Sequence, residues 1–136
     1  MSSTLRVSAE LKNLAVIRRH VSEAAANLRA GESAIDDMIQ AVDESATNII
    51  VHGYDGQPGA IEIEVAREGD ALLVRIRDHA PPFDPTTYPP PDLTVPLEQR
   101  RYGGLGIHLT RECTDAMIYR VTPDGANELT LLKKAY

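Results

Sequence analysis

The chain has 136 residues, 43% of them hydrophobic, and a formal net charge of −6 from 20 acidic against 14 basic side chains. That length and apolar content fit one compact domain over residues 1–136, the acidic balance argues against direct nucleic-acid binding, and no apolar run is long enough to span a membrane. One cysteine, Cys113, excludes an internal disulfide and suits a reducing cytosol, and Met1-Ser2-Ser3-Thr4 does not open a secretory signal, so a cytoplasmic location is expected.

Residues 5–7 read as a short strand. Ser8 is placed to cap a helix over residues 9–29. Leu11, Leu14, Ala15, Val21, Ala25 and Leu28 form its apolar side, and Gly31 is its stop. Ser33 is the expected cap of a second helix that ends near Gly53. There Ile35, Ile39, Val42, Ala46, Ile49 and Ile50 keep the three-and-four spacing of a buried stripe. Glu44 and Asn48 lie off that stripe, one turn apart on a shared face. A carboxylate that takes a proton, beside an amide oxygen that ligates a cation without adding charge, suits chemistry with Mg²⁺ and water. Taken alone, the pair is more commonly a solvated helix face, and the case for function needs other segments to agree.

Asp55-Gly56-Gln57-Pro58-Gly59 is turn chemistry. Residues 61–65 alternate apolar and polar, as a half-buried strand does. Gly69-Asp70 turns the chain into a second strand over 72–77, and the two make a hairpin. Asp78 ends that strand, where its carboxylate is placed either to start a turn or to accept a hydrogen bond from an exocyclic amine such as adenine's. Residues 79–102 contain seven of the nine prolines, so no regular element is expected. A connection that long in a compact domain reads as a lid over a site. Gly103, Gly104 and Gly106, around Leu105, open a helix to about Ala116. Flexible backbone at a helix start, with free amides and partial positive charge, suits phosphate. A strand over 117–121, a turn at Pro123-Asp124-Gly125 and a strand over 129–132 close the chain. The expected fold class is α+β: a two-layer sandwich with a mostly antiparallel, mixed β-sheet and helices packed on one face.

None of the lysines follows a glycine in the phosphate-loop pattern, which excludes the commonest nucleotide hydrolases. His20, His52, His79 and His108 lack metal-site spacing. His52 follows Asn48 by one turn and is placed to cap the helix or line a pocket. Cys113 reads as core packing.

Three of these segments together resemble the GHKL (Bergerat-fold) ATPase superfamily, and within it the anti-sigma factor serine kinases. Glu44-x-x-x-Asn48-x-x-x-His52-Gly53-Tyr54 looks like their N box. Asp78-His79-Ala80-Pro81-Pro82-Phe83-Asp84-Pro85 looks like the G1 box, and Gly103-Gly104-Leu105-Gly106-Ile107 like the G2 box. The resemblance implies an ATP-dependent protein-serine/threonine kinase with Mg²⁺. Glu44 would be the general base and Asn48 the Mg²⁺ ligand, Asp78 would read the adenine amine, and Gly104 and Gly106 would let the lid and helix start wrap the phosphates. Arg100 or Arg101, at the lid's exit, would reach the γ-phosphate. It further implies a homodimer that sequesters a sigma factor or another switched regulator, and that phosphorylates an anti-sigma-factor antagonist of the sulfate-transporter-and-antagonist type. A non-catalytic, nucleotide-dependent binding module of the same fold is the alternative. Ala80 stands where the family carries a glycine, so the loop below the adenine is expected to take its own path.

Overall fold

The computed structural model describes residues 2–87 and 104–136. Five strands form one sheet: β1 (Ser2–Ser8), β2 (Ala60–Glu68), β3 (Ala71–Asp78), β4 (Ala116–Val121) and β5 (Asn127–Lys134). Their order is β1-β2-β3-β5-β4, and each described pairing is antiparallel. Among the described residues the pairings are all antiparallel, and the helices on one face complete the expected α+β sandwich. The hairpin expected about Gly69-Asp70 is present as β2 and β3, and β4 and β5 form a second.

Three helices pack on the sheet: α1 (Leu14–Asn27), α2 (Glu32–Asn48) and α3 (Gly104–Cys113). α2 lies between α1 and α3 and rests on β3 and β5, while α1 rests on β1 and β2. Alternation along the strands supplies the other half of the core. Ile61, Ile63, Val65, Leu72, Val74, Ile76 and Leu131 are fully buried against Ile17, Val21, Met38, Val42 and Ala46. Ile35, Ile39 and Ile49 sit at the margin of this core rather than at its centre. Burial of the stripe leaves Glu44 and Asn48 half-exposed on the flank of α2, as their spacing requires.

The helix boundaries depart from expectation in ways that local chemistry explains. Ser8 does not cap a helix; it ends β1, and its hydroxyl donates to Glu10 Oε2 at 2.6 Å. Asn13 Nδ2 donates back to the Ser8 carbonyl at 2.8 Å, and residues 11–13 form a 3₁₀ turn before α1 starts. Leu11, expected in the apolar set, is 55% exposed on that turn. α1 ends before Gly31. Arg29 takes the left-handed conformation at φ 63°, and the Ala30 and Arg29 amides bond the Ala25 and Ala26 carbonyls. That is the crossed pair of a Schellman cap, with arginine where glycine is usual. Gly31, not Ser33, occupies the N-cap position of α2. At the other end α2 widens after Asn48 into a π turn over Ile49–Tyr54, closed by Asp55 at φ 48°. α3 stops at Cys113, because Ala116 already belongs to β4.

The sheet's second face carries charge. The register sets Arg6, Glu62, Arg77, Glu128 and Arg120 side by side, one from each strand. Arg77 bonds Glu128 at 2.8 Å and Glu62 at 3.1 Å, and Arg120 bonds Glu128 at 2.7 Å.

Candidate functional site

A cavity of about 630 Å³ opens between the C-terminal half of α2, its π turn, the end of β3, the start of α3, and strands β4 and β5. Pockets of this size take drug- and nucleotide-sized ligands. Glu44, Asn48, Asp78, Ala80 and Gly106 all line it, together with His52 and Gly53. Of the other predicted site residues, Arg100, Arg101 and Gly103 lie outside the described residues, as does the side chain of Leu105. Gly104 is the first residue of α3.

Glu44 and Asn48 reach the cavity because the α2 stripe faces the sheet and leaves them on the helix flank. The π turn that follows wraps His52 and Gly53 along the same wall. Such single π segments interrupt α-helices mainly at functional sites. Tyr54 fixes the turn: its hydroxyl donates to the Ala60 carbonyl at 2.7 Å and accepts the His79 amide at 2.8 Å. Its ring lies so close over Gly59 that a Cβ there would fall 2.2 Å from Tyr54 Cε1, which is why that turn ends in glycine. Burial lowers the pKa of the His52 imidazole, against the pull of Asp55.

α3 approaches α2 closely at Gly106, where a Cβ would stand 3.0 Å from Glu44 Oε2. The start of α3 and the proposed proton acceptor therefore share one confined space. Farther along α3, Thr110 returns its hydroxyl to the Gly106 carbonyl at 3.0 Å. Arg111 donates to the carbonyls of Pro85 and Thr86 at 2.8 and 3.0 Å, which ties the first turn after the G1-like segment to α3.

Asp78 is 5% exposed at the end of β3. Its Oδ1 accepts the Ala80 amide and Asn127 Nδ2, each at 2.9 Å. Asn127 Nδ2 also donates to the Ala80 carbonyl at 2.9 Å, and Asn127 Oδ1 accepts the Tyr119 hydroxyl. Burial raises the pKa of the Asp78 carboxyl; the bonds from Asn127 and the Ala80 amide, and the nearby His79, act in the opposite direction. Ala80 needs no left-handed backbone, since Arg29 and Asp55 are the described non-glycine residues with positive φ. Its methyl instead packs at Gly53, where a second Cβ would come within 3.0 Å.

Asn127, Tyr119, Ile107 and Thr110 line the cavity and were not singled out from sequence. A signal existed for Asn127: alternation runs back from Leu131 through Leu129 to position 127, which sets a polar residue on the buried side of β5.

The donor set fits magnesium triphosphate. Among the described residues no group of three His, Cys, Asp or Glu side chains is placed to hold a metal. Mg²⁺ takes one or two protein oxygens and completes its shell with phosphates and water, and the Glu44–Asn48 wall offers that partial set. The apolar lining, Ile49, Ile107, Met117 and Leu129 among it, suits a planar base.

Comparison with known proteins agrees with this geometry. The family model described as the histidine kinase-like ATPase domain matches residues 7–133. The serine-protein kinase RsbW of Listeria monocytogenes is 32% identical over 117 residues, which cover 82% of this chain and 74% of that protein. RsbW of Bacillus cereus is 28% identical over 115 residues, covering 82% and 72%. A crystal structure of the RsbU and RsbW domains of a Mycobacterium tuberculosis protein superposes with a TM-score of 0.70 at 17% identity, over 99% of this chain. That likeness is one of fold, and this chain spans 32% of the tuberculosis chain's length.

Proposed function

The chain belongs to the histidine kinase-like ATPase domain family, and from that premise we propose that it is an ATP-dependent protein-serine/threonine kinase of the partner-switching type. Its partners on this reading are a sigma factor or similar regulator, which it sequesters, and an antagonist protein whose serine or threonine hydroxyl it phosphorylates. The family supports the choice of partners, and the likeness to serine-protein kinases supports the reaction. The observation that carries the proposal is the convergence of Glu44, Asn48, Asp78 and Gly106, from three distant segments, on one cavity.

Each residue then has a task. Both internal bonds to Asp78 fall on Oδ1, so Oδ2 accepts the hydrogen bond from the adenine amine. The free amides at the start of α3 meet phosphate oxygens. The Asn48 side-chain oxygen would hold Mg²⁺, and the ion would supply neutralisation of charge on the phosphates. Glu44 takes the proton of the attacking hydroxyl as its oxygen bonds to the γ-phosphorus and ADP departs. Asn48 and Glu44 project from one helix, so the amide oxygen and the base keep a fixed separation. Arg111 anchors the Pro85–Thr86 turn, the described start of the segment read as a lid.

The test is transfer of label from ATP to the antagonist. Glu44→Ala is expected to cut transfer by about 10²–10⁴-fold, the usual worth of a general base, while calorimetry shows ATP bound within a few-fold of wild type. Nucleotide binding by the wild type without transfer to any antagonist would convert the reading to a sequestering module, and absence of ATP binding would refute both.

A further inference from the structure

We infer that Asn127, held in one orientation by Tyr119, is a positioning residue that fixes the Asp78 carboxylate for recognition of an amino-substituted purine. The inference rests on the ATP reading above and adds to it residues from β4 and β5.

The sheet gives no reason for an amide at position 127. Asn127 lies on the helix-facing side of β5, pairs with Asp78 on β3 and Val121 on β4, and is 6% exposed. Its neighbours on that side are Leu129 and Leu131, which supply core. A buried amide costs desolvation unless its hydrogen bonds are all made, and here they are. One Nδ2 hydrogen goes to Asp78 Oδ1 and the other to the Ala80 carbonyl, while Oδ1 takes the Tyr119 hydroxyl at 2.5 Å.

The direction of the chain is set by its far end. The Phe83 amide donates to the Tyr119 oxygen, so the Tyr119 proton is free to go to Asn127. A flipped Asn127 would turn its oxygen toward the Asp78 carboxylate and the Ala80 carbonyl, three acceptors with no proton among them. Tyr119 therefore enforces the rotamer in which Asn127 donates. The relay fastens Asp78, Ala80 and Phe83 to the β4–β5 hairpin. It does by side-chain bonds what the stiff segment 78–83, with its paired prolines, is not left to do alone. With Oδ1 committed twice, the carboxylate is locked so that Oδ2 alone remains for a ligand's amine.

Two nucleotides separate positioning from general stability: ATP and purine riboside 5′-triphosphate, which lacks the 6-amino group. Calorimetric titration of each into the full chain is expected to show the wild type favouring ATP by about tenfold or more, the worth of a hydrogen bond to a charged acceptor. Asn127→Ala should bring that ratio to within about twofold by weakening ATP alone, because the amine contact is the part that is lost. Tyr119→Phe, which removes one hydroxyl and keeps the ring, should move the ratio the same way by a smaller factor. It keeps the test decisive if Asn127→Ala melts below the assay temperature. Equal weakening of both nucleotides, or an unchanged ratio in both variants, overturns the inference while leaving the ATP reading intact. A wild type that binds neither nucleotide overturns both.

Discussion

Gly106 is needed for the room it leaves rather than for an unusual dihedral. It lies inside α3, where alanine would be the better helix former by about 1 kcal/mol, yet a Cβ there would press on Glu44 Oε2 at 3.0 Å. The obstructing atom is the end of a flexible side chain, so the fold accommodates it and the carboxylate moves. Gly106→Ala is therefore expected to raise the thermal midpoint by a few degrees and to lower phosphoryl transfer about 10–100-fold, with ATP affinity nearly unchanged. Differential scanning calorimetry and the labelled-transfer assay check the two halves. At this scale the sequence was legible where chemistry is local. Glu44 and Asn48 announce themselves by helical spacing, and Asp78 by its place at a strand end. Alternation marks Asn127 as a polar residue on the buried side of β5, but its link to Asp78 was silent, because the two lie more than forty residues apart and meet only through sheet register.

Among the described elements, pattern located the five strands and α1, α2 and α3 but neither their ends nor the 3₁₀ turns at Leu11–Asn13 and Pro85–Thr87. Alternation in residues 61–65 and the three-and-four spacing of α2 are signals of burial, and the core honours them. Ends depend instead on single backbone hydrogen bonds, which several residue types satisfy. Ser8 has a capping side chain, but β1 pairs through it with Ala60 and spends it on Glu10. At the other end of α1 the left-handed position fell to Arg29 rather than to Gly31. A side chain there costs about 1 kcal/mol relative to glycine, part of which is offset by the freedom glycine would add to the unfolded chain. Arg29→Gly should thus stabilise the protein by about 0.5 kcal/mol and lift the midpoint by about 2 °C, with nucleotide binding unaffected, since α1 does not line the cavity. A lower midpoint would show that Arg29 makes contacts worth more than its strain.

Across the whole molecule, the two faces of the sheet are held by different forces. The helix side is apolar, whereas the other carries alternating charge over all five strands. Its outer pairs are exposed and weak, Arg6–Glu62 at 3.9 Å being one. Glu128 differs because it is 5% exposed between Arg77 and Arg120. Burial by itself would raise its pKa, but the hydrogen bonds from Arg120 and Arg77 prevail and hold the carboxyl below its ordinary value. A depressed folded-state pKa means stability that is present above the unfolded value, about 4.3, and lost as pH falls through the folded one. Glu128→Gln should accordingly cost about 2 kcal/mol in urea unfolding at pH 7, and the gap between wild type and variant should close as pH falls through the folded-state pKa. A gap that persisted in acid would assign the loss to packing instead of charge.

Chain order and sheet order disagree at β5, the last strand in sequence, which slots between β3 and β4. A ribosome releases β4 before the neighbour it pairs with, and Asp78 before its amide partner Asn127. Until β5 emerges, β3 lacks its partner on that side and the Asp78 end of the cleft has one wall missing. The cleft end at Asp78 is thus a product of non-local pairing, completed only once β5 has joined β3 and β4.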